Sequence, residues 1–219
     1  MPRVCPECGA WCEEEPIDFT VPAVICPHCQ YGEPFLRLPL FIITGASGAG
    51  KTTLGRHLPA RLPECVTLDT DILWGVLPAT AEKNYTDYQD RWLHLAKHIA
   101  QNGRPVVLCG TTMPERIMAS PEHRYFSAIH ILALVCDDDM LIQRLKQRPA
   151  WRGCDNEETQ NTMVKFNRWH KEQAAQTQPP MTLYDTTTAT LEQTLADTRQ
   201  WIYERLPVSA PHQDKSNIP

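Results

Sequence analysis

Residues 45 to 53 read GASGAGKTT, with four residues between Gly45 and Gly50 and then Lys51 and Thr52. This G-x4-G-K-T spacing suits one chemistry, the cradling of a nucleoside triphosphate. Its glycines let backbone N–H groups turn inward around the β-phosphate, and a helix beginning near Lys51 would point its positive end at the anion. Lys51 is expected to bridge the β- and γ-phosphates, and the Thr52 hydroxyl to hold Mg²⁺. The expected cofactor loop is therefore Gly45, Ala46, Ser47, Gly48, Ala49, Gly50, Lys51, Thr52 and Thr53, with ATP and Mg²⁺ as cofactors.

A second constellation lies near the N-terminus. Cys5 and Cys8 are separated by 17 residues from Cys26 and Cys29, the pattern C-x2-C-x17-C-x2-C. Thiolates two residues apart on tight turns can grip one tetrahedral Zn²⁺ from two sides, with a hairpin between them. CPECG and CPHCQYG resemble the paired knuckles of zinc ribbons, a likeness that covers residues 5 to 32. A redox dithiol is the competing reading, disfavoured because the motif is doubled and lacks a βαβ context. Cys12 and His28 are expected to be non-ligands, since four thiolates close a structural site. So small a unit cannot bury a core, and zinc would supply its folding energy.

These residues need a scaffold, and 219 residues with 42% hydrophobic content suffice for one α/β domain plus a small appendage. No apolar run reaches the roughly 20 residues of a membrane span, and the N-terminus lacks a signal peptide's apolar region. Nine cysteines, an odd number, fit a reducing compartment, so a cytoplasmic protein with no membrane partner is expected. A net charge of −5 gives no global attraction to nucleic acid. The expected order is a zinc ribbon at 1–33, a main domain at 34–207 and a disordered tail at 208–219. Within the main domain, strands are expected at LFIIT, ECVTLD, PVVLCG, AIHILALVC and MTLYD, alternating with helices as in a parallel sheet. Thr86 is expected to cap a helix whose buried face carries Tyr88, Trp92, Leu95, Ala96 and Ile99. Asp137 or Asp138 should cap the helix after the fourth strand, and the last helix should run from about Leu191 to Leu206.

LDTDILW puts Asp69 and Asp71 at the carboxyl end of the second strand, where ligands of open parallel sheets bind. One carboxylate there can organise the Mg²⁺ shell while the other accepts a proton from an attacking hydroxyl. Either one could instead cap the next helix. Together with the loop, this D-x-D segment resembles the small-molecule kinases of the shikimate and gluconate kinase kind. The resemblance implies a five-stranded parallel-sheet kinase fold and phosphoryl transfer from ATP. It also implies a substrate turn at Gly110 and Thr111, a carboxylate-binding arginine at Arg91, and a lid near 146–156 with Arg148 and Arg152. A turn packing on adenine would fall at Asp185, Thr186 and Thr187. Shikimate kinases carry three glycines where this chain has Gly110, Thr111 and Thr112, so shikimate itself is not the expected acceptor. Arg144 reads as a surface side chain, and KFNRWHKEQ as an amphipathic helix that could cover the acceptor pocket. Trp92 and Trp169 read as core, whereas Trp74 and Trp151 divide between core and pocket.

The expected partner is a small-molecule phosphoryl acceptor, with a nucleoside or nucleotide ranked before a sugar acid. Two rivals remain open, a 5′-hydroxyl polynucleotide kinase whose ribbon guides a strand and a nucleotide-dependent regulatory switch. The oligomeric state is not legible.

Overall fold

A computed structural model describes residues 4–13, 16–77, 85–154 and 156–207; the expected tail at 208–219 lies outside them. A small antiparallel sheet is formed by β1 (Ile17–Asp18) and β2 (Ala23–Ile25), between the cysteine pairs, and β3 (Gly32–Pro34), after the second pair. The turn after β1 is closed by Asp18, whose carboxylate accepts from the Thr20 amide at 2.8 Å and the Thr20 hydroxyl at 2.6 Å. This is the local competition for backbone groups that makes Asp a turn former.

The main sheet contains β4 (Leu40–Gly45), β5 (Val66–Asp69), β6 (Val106–Cys109), β7 (Ile129–Val135) and β8 (Met181–Asp185). All pairings are parallel and the strand order is β5-β6-β4-β7-β8. Every residue of β4 is buried, as an unbroken apolar run in a sheet covered on both faces should be. Its side chains alternate: Leu40 and Ile42 join a core with Trp92, Leu93 and Leu108, while Phe41 and Ile43 join one with Leu54, Leu58 and Ile202. Strand order reverses at β4, so the chain leaving Gly45 enters a crevice at the carboxyl edge of the sheet.

Among the described residues, six helices cover the two faces: α1 (Lys51–His57), α2 (Thr86–Ala100), α3 (Pro114–Ala119), α4 (Asp138–Lys146), α5 (Glu157–Gln173) and α6 (Leu191–Tyr203). Asp137 is the N-cap of α4, and α6 opens with a capping box between Thr190 and Gln193. Two details of α2 depart from the sequence pattern. Tyr85, not Thr86, is the N-cap. Leu95 is exposed, while Gln89, Leu93 and Lys97 are buried, because α3 and a 3-10 turn at Pro121–Tyr125 cover α2 from a second side. Buried Lys97 pairs with Glu122 at 2.7 Å and lies 4.0 Å over the Tyr125 ring. Helix α5 packs on α4 and the sheet, and its residues do not line the loop cavity. Its buried Asn167 accepts from the Cys136 amide and donates to the Cys136 carbonyl, at 3.3 and 2.7 Å.

The ribbon packs on the main domain through Ile17 and Val24, which lie against Phe35 and Tyr125, and the linker adds its own contacts. Phe35 stacks at a tilt on Tyr125, with centroids 5.2 Å apart. Gln101 clasps the Leu36 backbone from both sides, accepting from its amide and donating to its carbonyl.

Candidate active site

The loop after β4 takes its shape from glycine sterics. Gly45 has φ 139°, and a Cβ there would lie 2.3 Å from the Leu134 carbonyl oxygen. Gly50 has φ 109° and is the N-cap of α1. Lys51, the first helical residue, folds back to donate to the Gly45 and Ala46 carbonyls at 2.8 and 3.0 Å. Burial pushes its pKa down to about 8. Asp71 opposes that shift, Arg148 reinforces it and Asp69 opposes it. A cavity of about 410 Å³ opens over the loop, lined by Ser47 to Leu54 together with Asp71, Thr111, Arg144, Arg148, Arg152 and Thr186.

The two aspartates divide their work. Asp69 is the N-cap of a 3-10 turn at Thr70–Leu73 and accepts from the Asp71 amide at 3.0 Å. Asp71 does no capping; its carboxylate lines the cavity and faces Arg152 at 3.8 Å. Thr52 lines the same cavity, so a hydroxyl and a carboxylate, the hard oxygen donors that Mg²⁺ prefers, stand at the loop.

Arg148 and Arg152, expected in the lid, both reach this cavity. Arg152 lies on a 3-10 turn (Ala150–Arg152), 4.6 Å over the exposed Trp151 ring. Arg148 donates weakly to the Cys154 sulfur at 3.7 Å. The reading of Arg144 as a surface side chain is corrected. It donates to the Thr186 hydroxyl at 3.0 Å and the Thr186 carbonyl at 2.7 Å, and it lines the cavity. Buried Thr186 also lies within hydrogen-bond reach of the Ala49 and Val135 carbonyls, at 3.2 and 3.1 Å, though its single proton serves one at a time. The turn after β8 is thus tied to the phosphate loop. Asp185 closes that turn, accepting from the Thr187 amide and hydroxyl, and Thr187 in turn accepts from the Asp137 amide.

On the acceptor side, Thr111 donates to the Gly45 carbonyl at 3.3 Å. Gly110 is buried, and a Cβ on it would sit 1.7 Å from the Thr70 hydroxyl oxygen, so close approach to the Asp69–Asp71 turn accounts for this glycine. Tyr88, read from the sequence only as a core position, donates a short hydrogen bond to the Thr70 carbonyl and holds the same turn from α2. Arg91 is exposed on α2 and does not line the loop cavity. Trp92 is fully buried and Trp169 packs on the core, as expected. Trp74 is exposed, 5.5 and 6.0 Å from the Tyr88 and Tyr85 rings.

At the ribbon, the sulfurs of Cys5, Cys8, Cys26 and Cys29 all lie within 4.8 Å of one another. The Cys5–Cys29 and Cys8–Cys26 separations are 3.7 and 3.8 Å. Sulfurs placed tetrahedrally about 2.3 Å from one Zn²⁺ would be about 3.8 Å apart, so the donor set fits the metal. Backbone N–H groups of Cys29 and His28 lower the Cys26 pKa, whereas burial and the neighbouring thiols raise that of Cys29, so the four sulfurs share their protons unevenly without a metal. Cys12 is buried beside the cluster, 3.9 Å from Cys26, and His28 is exposed.

Residues 40–179 match the AAA domain family, which is most of the chain. The chain belongs to that family. Solved structures resemble this AAA domain protein over most of its length. A sugar kinase from Janibacter sp. HTCC2649 is 13% identical, with 77% of this chain and 95% of that one covered at a TM-score of 0.57. Shikimate kinase from Acinetobacter baumannii, solved with shikimate, is 19% identical, with 77% and 94% covered at a TM-score of 0.51. These likenesses establish the P-loop kinase fold of the AAA domain. No curated protein matches the chain.

Proposed function

We infer that this protein is an ATP-dependent phosphotransferase acting on a small molecule. One observation carries the reading: Asp71, relieved of capping by Asp69, turns its carboxylate into the cavity that also holds Lys51, Arg148 and Arg152. Asp71 accepts the proton of an acceptor hydroxyl as that oxygen bonds to the γ-phosphorus and the bond to the β–γ bridging oxygen breaks, releasing ADP. Lys51 and the two arginines neutralise charge on the phosphoryl oxygens, and Arg152 also holds Asp71 in place. Mg²⁺, held through Thr52 and the carboxylates, would supply further neutralisation of the phosphates. Asp185, Thr186 and Thr187 would border the adenine, and Gly110, Thr111 and Arg91 the acceptor.

A nucleoside or nucleotide is the favoured acceptor, supported by the aromatic group of Trp74, Tyr85 and Tyr88 near Asp71 and by exposed Trp151 beside Arg152. The polynucleotide reading loses ground on charge. Residues 1 to 33 contain one basic side chain, Arg3, against Glu7, Glu13, Glu14, Glu15, Asp18 and Glu33. Such a ribbon repels a phosphate backbone. A zinc-held brace whose Ile17 and Val24 pack against Phe35 and Tyr125 is the role its contacts support. The deciding experiment is ATP consumption by the zinc-loaded protein against nucleosides, nucleotides, sugars, sugar acids and 5′-hydroxyl oligonucleotides, with products weighed by mass spectrometry. A phosphoryl gain on a small molecule is expected. Turnover on oligonucleotides alone, or tight ATP binding with no turnover, would transfer support to the strand-end kinase or the switch.

A further inference from the structure

At the end of the sheet remote from the phosphate loop, a second cavity of about 380 Å³ opens where the ribbon meets the main domain. Its size lies within the range of small-molecule sites. Phe19 of the ribbon, Met118 of α3 and the buried ring of Phe126 supply apolar walls. Arg37 enters from the linker and Arg124 from the 3-10 turn at Pro121–Tyr125. The Arg37 guanidinium lies 4.8 Å over the Phe19 ring, and its buried Nε has no hydrogen-bond partner. Arg124 uses its Nε on the Pro121 carbonyl at 2.9 Å, which leaves both terminal nitrogens as donors. His123, also at the wall, has Nδ1 engaged with the Ser120 carbonyl at 2.6 Å.

Among the described residues no carboxylate lines this cavity, and neither arginine forms an ion pair. Two guanidinium groups at one apolar hollow repel each other and lose hydration, costs that an anion between them would offset. Planar donor forks match carboxylate and phosphate oxygens.

We propose that this cavity binds a small organic anion, a carboxylate or phosphate ester on a flat apolar body. The body lies against Phe19, Met118 and Phe126 while Arg37 and Arg124 take the acid group. The site draws one wall from the ribbon and is separate from the nucleotide cavity, so it stands or falls independently of phosphoryl transfer.

The test is calorimetric titration of the zinc-loaded full chain with 2-naphthoate, in saturating MgATP so that the nucleotide cavity is blocked. Binding should persist under ATP and weaken about tenfold or more in Arg37→Gln and in Arg124→Gln, the loss expected for one charge-assisted hydrogen bond. The neutral 2-naphthamide should bind at least as much more weakly. Arg124→Gln lies in the main domain, so it keeps the test valid if Arg37→Gln loosens the ribbon; zinc content and melting temperature report that. Displacement by ATP, equal binding of the amide, unchanged affinity in Arg124→Gln, or no heat at millimolar naphthoate would each overturn the proposal.

Discussion

Asp71 and Arg152 face each other at 3.8 Å across the mouth of the loop cavity, one from the turn after β5 and the other from the 3-10 turn after α4. The contact joins the acceptor side to the lid segment. Since both side chains are partly exposed, the pair contributes little to stability and its value is positional.

Asp71→Asn is expected to lower kcat by about 10²- to 10⁴-fold, the range of a lost general base, with MgATP affinity within a few-fold of wild type. Steady-state kinetics and equilibrium ATP binding separate the two. Unchanged kcat would remove Asp71 from the mechanism.

Lys51 has its folded pKa depressed by burial to about 8, below the ordinary value near 10.4. Between those values the unfolded chain binds more protons than the folded one, so this group makes stability rise with pH across about 8 to 10.4. A bound triphosphate favours the ammonium form. MgATP binding should therefore take up protons near pH 8.5 to 9 and almost none near pH 6.5. Calorimetry in buffers of different ionisation enthalpy reads this directly, and Lys51→Met should abolish the uptake.

Gly110→Ala drives a methyl group into Thr70, between the two aspartates. Overpacking of this kind costs about 1–3 kcal/mol. A lower urea midpoint should come with a fall in kcat larger than the stability loss alone explains, because the Asp69–Asp71 turn must shift. Adding Thr70→Gly, which removes the clashing side chain, should recover part of both. Full activity in Gly110→Ala alone would mean that the turn yields without moving its carboxylates.

Arg144→Met removes two bonds to Thr186 without shortening the helix side chain much. A loss of about 1.5–3 kcal/mol is expected by chemical denaturation, with weaker ATP binding, since Thr186 abuts the Ala49 carbonyl of the loop. Unaltered ATP affinity would show that the clamp braces the fold only.

Cys29→Ser should drop the zinc content from one ion per chain to near none, while Cys12→Ser should retain it. Elemental analysis of the purified variants checks both. Loss of zinc in Cys12→Ser would make Cys12, 3.9 Å from Cys26, a ligand and break the four-cysteine assignment.

What the chain's order alone determined is short in range. The loop from Gly45 to Thr53, the two cysteine pairs and the five strands were legible because steric needs of phosphate and metal binding, and side-chain alternation, act within a few residues. Packing between distant segments decided the rest. That Asp69 caps the turn while Asp71 faces the cavity became visible only in the fold, where Gly110 and Tyr88 close on Thr70 between them. Gln89, Leu93 and Lys97 turned inward because α2 is covered on two sides. Arg144, one helical turn before Arg148, looked like any solvated arginine until Thr186 met it, 42 residues away along the chain. Burial and hydrogen-bond satisfaction are properties of the folded environment, so residue type and spacing cannot show which of two equivalent carboxylates or arginines the fold will occupy.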